Sequence, residues 1–206
     1  MLMKMPSLRK PDAESIRQFR QAQAKLDFSY SAVGATANVA PAGYVVDHTR
    51  IQLGNGKEIF EAAKSALRRW EHFHLGWVEA SPTETSIEAG EVVAVLGRVC
   101  GLWWLNACRI VYVVDEVGPI TRFGFAYGTL PGHAESGEER FLIEWDRADD
   151  CVRYDILAFS RPNYVVTTRR RRTHSSCESC WRSLGRAGEE GPQNLFQRGV
   201  GIGCHH

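Results

Sequence analysis

Residues 108–130 read CRIVYVVDEVGPITRFGFAYGTL. The first part has a period of two. Cys108, Ile110, Tyr112 and Val114 fall on one side, and Arg109, Val111, Val113 and Asp115 on the other. Val117-Gly118-Pro119 then supplies turn chemistry, and Phe123, Phe125 and Tyr127 resume on a shared face. Two β-rich runs joined by so short a turn pair antiparallel, because a parallel pair needs a crossover of about a dozen residues or more.

The pattern extends in both directions. Downstream, Pro131-Gly132 punctuates the chain, and Glu139–Asp146 places Phe141, Ile143 and Trp145 on one side. After a turn over Asp146–Asp150, Cys151–Ser160 places Val152, Tyr154, Ile156 and Ala158 together. Upstream, Glu91–Cys100 is a further β-rich run. Tyr44–Leu53 is another, stopped by Gly54-Asn55-Gly56. This succession predicts a curved antiparallel meander of six or seven strands. One apolar face of such a sheet needs a cover. Lys57–Phe73 is predicted as the covering helix, with Ile59, Phe60, Ala63, Leu67 and Trp70 in one stripe and Lys64, Arg68 and Arg69 turned away. Residues 11–26 read as a second helix on the domain surface. Asp12 caps it, and Ile16, Phe19, Ala22 and Leu26 fall near one face. Residues 28–44 read as an irregular connection with one short strand. The fold class is α+β.

Composition narrows the function classes. The chain has 206 residues, 44% hydrophobic and 24% charged, which is near the globular average and excludes wholesale disorder. Its formal net charge of +1 provides no global basic field, so no nucleic-acid partner is expected. No run of about 18 apolar residues predicts a spanning helix. The start is too short in its apolar part for a secretory signal. Six cysteines without such a signal favour a reducing, intracellular compartment, with an organelle address left open. The chain is expected to divide into a surface helix (residues 1–27), the sheet domain (28–165) and a basic, largely disordered tail (166–206). The tail holds seven arginines, including Arg169–Arg172, and three glutamates.

Several motifs are distinctive: Gly43-Tyr-Val-Val-Asp-His48, Phe60–Trp70, Leu75-Gly-Trp77, Gly124-Phe-Ala-Tyr-Gly-Thr-Leu-Pro-Gly-His133, Glu135, Gly137-Glu-Glu-Arg-Phe141 and Ala158-Phe-Ser-Arg-Pro162. In this order they resemble the uncharacterised DUF1990 (UPF0548-type) family of bacteria and plants. The element order is similar to the START-like helix-grip superfamily. That resemblance implies an apolar ligand held between the sheet and a long final helix, and, in some members, cyclisation or hydrolysis there. In this chain, Val165-Val-Thr-Thr-Arg-Arg-Arg-Arg172 leads into Gly/Ser/Arg sequence. The final helix is therefore expected to be truncated or altered.

The loop Leu130–Arg140 concentrates His133, Glu135, Glu138 and Glu139, residue types that serve as acid and base. A polar hairpin tip would have the same composition. Arg109 and Arg161 suit either a buried ion pair or the anchoring of an anionic ligand head. For Arg109 the pair would be with Glu138 or Glu139. Tyr127, Tyr154 and Trp104 are the aromatic candidates for lining a pocket, or for filling a core. His174, Cys177 and Cys180 imitate zinc spacing without a matching second pair, so no metal site is assigned. No phosphate loop, dinucleotide fingerprint or nucleophile elbow occurs, and no cofactor is expected. The leading expectation is a module binding a small hydrophobic ligand in the concave face. A hydrolase or cyclase using His133 with Glu135, Glu138 or Glu139 is the alternative. A protein-interaction domain without a small ligand is the third, its protein partners left open.

Overall fold

The structure, a computed structural model, describes residues 6–163. Helix α1 spans Ala13–Gln23 and helix α2 spans Lys57–Arg68. The strands are β1 (Val45–Asn55), β2 (Val78–Ser81), β3 (Val92–Val99), β4 (Leu102–Glu116), β5 (Ile120–Thr129), β6 (Glu135–Asp146) and β7 (Cys151–Pro162). They form one curved antiparallel sheet in the order β1-β7-β6-β5-β4-β3-β2. The fold is α+β, as the meander predicts. Residues 28–44 hold no strand; their regular element is a short 3-10 turn at Ala35–Ala37. The expectations for the tail and the altered final helix lie outside the described residues.

The two faces of the sheet differ. Alternation sends Phe123, Phe125 and Tyr127 of β5, Phe141 and Ile143 of β6, and Val152, Tyr154 and Ile156 of β7 to one face. There they pack with Phe60, Ala63 and Leu67 of α2. This α2 face carries the main core. The opposite face holds Ala94, Leu96 and Leu105 under Ile16 of α1.

Two further sequence expectations fail locally, each for a physical reason. In β4 a bulge at Val111 shifts the register, so that Ile110 pairs with Tyr127 but Tyr112 pairs with Ala126. Tyr112 therefore leaves the Cys108–Ile110 face, and its hydroxyl meets Thr36 Oγ1 at 2.8 Å on the α1 face. Helix α2 also stops at Arg68, short of Phe73. Residues two apart on a helix point in nearly opposite directions. A continuous helix could not bury both Trp70 and His72, yet Trp70, His72 and Phe73 are all buried. The chain breaks instead. Trp70 takes a left-handed conformation (φ 58°), Glu71–Phe73 forms a 3-10 turn, and Trp70 Nε1 donates to Thr85 O at 2.9 Å.

Asp12 caps α1, accepting from the Ser15 amide at 2.7 Å. Arg109 closes its other end. Its guanidinium donates to the carbonyls of Ala24 (2.9 Å) and Leu26 (2.8 Å) and lies 5.3 Å from the centre of the Phe28 ring. A cation there meets the negative end of the helix dipole. Arg109→Ala is expected to cost about 1–2 kcal/mol. Denaturant unfolding measures this, and hydrogen exchange should show faster exchange at residues 20–26.

Candidate functional site

Cross-strand pairing builds a row on the α2 face: Asp47 (β1), Ala158 (β7), Glu139 (β6), Tyr127 (β5) and Ile110 (β4). The neighbouring row, through Ile156, Phe141 and Phe125, is buried. Phe73 of the 3-10 turn lies 5.9 Å from Phe141 and 6.0 Å from Tyr127. Beyond that contact the burial falls away. Asp47, Ala158, Glu139 and Ser160 are half-buried, and Val45 is 71% exposed. The α2 face thus ends in a partly open margin.

Glu139 is the polar centre of that margin. Tyr127 Oη donates to its Oε2 at 2.8 Å. Burial pushes the Glu139 carboxyl up to about 7; the Tyr127 bond pulls it down, and the Glu135 and Asp47 charges add to the rise. Among the described residues no Lys or Arg forms an ion pair with Glu139, Glu135 or Asp47. Tyr154, fully buried, and Tyr127, nearly so, pack within the core cluster, and burial drives both hydroxyls well above the usual phenol range.

His133 has a different surrounding. Its Nδ1 lies 3.0 Å from the Glu135 amide nitrogen and 3.1 Å from the Glu135 carbonyl oxygen. The same loop is tied by Asn163 Nδ2 donating to His133 O at 3.2 Å. Burial lowers the imidazole to about 4, with the Glu135 backbone opposing. The Glu135 contact of His133 is therefore through the backbone of the turn, while the Glu135 side chain is exposed.

Glu138 faces the other way. It accepts from Tyr30 Oη (2.6 Å), the Gly34 amide (2.7 Å), the Thr36 amide (3.0 Å) and Thr36 Oγ1 (2.5 Å) on the α1 face. This clamp fastens residues 30–36 to the sheet. Glycine is required where the clamp and the sheet press together. A Cβ on Gly128 would stand 2.1 Å from Tyr30 Oη, and one on Gly137 would stand 1.9 Å from Phe159 O. Next to the clamp, Arg140 donates to Thr36 O (3.0 Å) and to Asp155 Oδ1 (2.8 Å). Burial raises the Asp155 carboxyl, but the bonds from His48 and Arg140 outweigh it and hold the group below the usual range. Arg50 pairs with Glu144, whose other oxygen accepts from Arg122 at 2.8 Å.

The sequence candidates therefore separate. Tyr127, Tyr154, Glu139 and, by register, Trp104 lie on the α2 face. Glu138, Arg109 and Arg161 lie on the α1 face. The pairing of Arg109 with Glu138 or Glu139 is replaced by the end of α1. Arg161 is exposed, with its guanidinium 4.7 Å from the centre of the Tyr44 ring. Sequence reading missed Asp47, which pairs across β7 with the Glu139 position. Its signal was its alternate placement in the Tyr44–Leu53 run. A shallow cleft of about 220 Å³ lies elsewhere, at the β2 edge, lined by His74, Trp77, Glu79 and Trp103 among others. Among the described residues no cluster could hold a metal ion, and no helix is long and apolar enough to cross a membrane. The zinc-like spacing and the Arg169–Arg172 run lie outside the described residues.

The family model of a domain of unknown function, DUF1990, matches residues 29–174. The chain belongs to the DUF1990 family. Among its relatives, a UPF0548 protein of Dictyostelium discoideum is 39% identical over 178 residues, covering 77% of this chain and 82% of that protein. A UPF0548 protein of Deinococcus radiodurans is 36% identical over 171 residues, covering 78% and 82%. One from Arabidopsis thaliana is 34% identical over 129 residues, covering 61% and 62%. A crystal structure of a hypothetical protein from Helicobacter pylori aligns with a TM-score of 0.43 at 10% identity, over 84% of this chain and 94% of that one. The DUF1990 match begins at Ser29, just before the Glu138 clamp, and takes in the whole row through Glu139.

Proposed function

We propose that this domain binds a small, largely apolar molecule at the open margin of the α2 face, with a neutral hydrogen-bonding group of the ligand meeting Glu139. The observation that carries the reading is the Tyr127–Glu139 pair. It is a half-buried carboxyl, near neutral in its proton affinity, at the edge of an aromatic face that α2 otherwise covers. Small-molecule sites combine mostly apolar walls with a few placed polar groups. The likeness in element order to helix-grip proteins, a curved antiparallel sheet with a helix on one face, supports the same reading by analogy.

A neutral apolar dye, N-phenyl-1-naphthylamine, tests it. Saturable binding of one dye per chain is expected for the wild type. Ala158→Trp, which fills the half-buried position between Asp47 and Glu139, should weaken it at least tenfold with the fold intact by circular dichroism. Equal binding by both proteins would refute the margin as the site.

An acid–base reaction at the same place, of the hydrolase or cyclase kind, is the second reading. The Glu139 value of about 7 favours it, because a group poised near the working pH transfers protons in both directions. Molecules recovered from the wild type and from Glu139→Gln distinguish the two. Different masses support chemistry, whereas identical masses support binding alone.

A further inference from the structure

The main core contains an anomaly that the ligand reading does not use. His72 is only 2% exposed, and neither ring nitrogen has a hydrogen-bond partner. Aromatic rings surround it: Phe73 and Phe141 at 4.6 Å, Trp70 at 5.8 Å and Phe125 at 6.0 Å. Buried polar groups are almost always bonded, and leaving one unpaired has a cost. The neighbouring Trp70 adds a second departure, a left-handed backbone at a bulky residue. Both anomalies fall within the turn that caps the Phe125–Phe141 row. At the far side of the turn, Gly76 is exposed, has φ of 79°, and has no atom within 4 Å of a would-be Cβ. A glycine there leaves the backbone unhindered where the segment runs on towards β2. Trp70, by contrast, is anchored through Thr85.

We propose that the 3-10 turn Glu71–Phe73 is an acid-released cover: protonation of His72 expels its ring from the aromatic cage, and the segment from His72 to Leu75 swings out about Gly76 and uncovers Phe125, Phe141 and Tyr127. Such a release does not depend on any ligand at the margin, since it needs only the cage and the unhindered glycine. An imidazolium would find no oxygen or nitrogen acceptor in that cage, only π faces, whereas water supplies full hydrogen bonding to both ring N–H groups. The rings facing His72 from β5 and β6 are Phe125 and Phe141, which do not titrate. Tyr127 and Glu139 lie one step further along those strands, and Glu71 of the turn is paired with Arg69 at 2.7 Å. His74, exposed and two residues on, is the charge that adds to burial in disfavouring protonation. Burial lowers His72 to about 3 in the closed state, against an ordinary 6.5. A histidine lowered by folding supports the closed state above its ordinary value, and that support is lost as pH falls towards the folded value. Between the two values, each pH unit multiplies the open fraction by up to about tenfold.

Hydrogen exchange with mass spectrometry, corrected for intrinsic rates, reads the opening directly. On going from pH 6 to pH 4, protection at residues 71–75 should fall roughly fifty- to a hundredfold, while α2 keeps its protection. His72→Phe, which fits an aromatic cage, should remove that dependence. Equal pH dependence in the variant, or simultaneous loss of protection in α2, would overturn the proposal. Should the variant fail to fold, the wild-type imidazole resonance decides. A neutral His72 at pH 5.5 with protected amides supports the cover, whereas titration near 6.5 with those amides still protected refutes it.

Discussion

Glu138→Ala is expected to destabilise the domain by about 3–5 kcal/mol and to lower its melting temperature by roughly 10 °C or more. The carboxylate is 2% exposed and accepts four hydrogen bonds, from Tyr30, the Gly34 amide, and the amide and hydroxyl of Thr36. Alanine removes the acceptor shared by all four donors, of which the Thr36 hydroxyl keeps Tyr112 Oη as a second partner. The Tyr30 ring has no easy retreat, because it lies against Gly128 and packs edge-on to Phe28 (5.6 Å) and Phe159 (5.7 Å). The loss also propagates to Arg140, which holds Thr36 O on one side and Asp155 on the other. Glu138→Gln should fall between the two proteins, since its amide keeps one acceptor but turns an NH2 towards donors. Denaturant unfolding measures these differences, and a loss below 1 kcal/mol in the alanine variant would mean that the clamp is not what fastens residues 30–36.

The second large effect is a pH dependence with an unusual sign for a carboxylate. Folding raises Glu139 from 4.5 to about 7, so between those values the folded state keeps a proton that the unfolded chain releases. The contribution is complete below about pH 4.5, declines as pH rises to 7 and is flat above it. Its ceiling is about 3 kcal/mol, and solvent at the half-buried position reduces it to about 1–2 kcal/mol. Glu139→Gln carries no such dependence. The stability of the wild type minus that of the variant should therefore fall between pH 4.5 and pH 7.5 in urea titrations. His72 works in the opposite direction over an overlapping range, but it is common to both proteins and cancels in the difference. A difference that rises with pH would show that Glu139 is paired with a cation in solution.

Much of the fold was legible because strand alternation is a local property. Phe123, Phe125 and Tyr127, and likewise Val152, Tyr154 and Ile156, share a face for the reason their spacing implies. The bulge at Val111 was not legible, because an extra residue in a ladder depends on the partner strand and leaves no mark of its own in the sequence. Nor was the break at Trp70. The stripe Ile59–Trp70 fits a helix well, and only the joint burial of Trp70, His72 and Phe73 against the sheet forces it to end. The candidate site was visible as a cluster but not as an arrangement. Glu138 and Glu139 are adjacent in sequence and therefore opposite in space, one a structural clamp and the other the polar centre of the open margin. Sequence marks Arg109 as a guanidinium in need of partners, but those partners are backbone carbonyls just past the end of α1, which no residue-type pattern announces.

Native mass spectrometry of freshly purified protein addresses the binding proposal most directly. Wild-type protein should carry a satellite of a few hundred daltons, the size of molecule that pockets of this class enclose, and Ala158→Trp should lack it. Identical, unliganded spectra for the two proteins, under conditions in which both remain folded, would contradict a ligand at the margin beside Glu139.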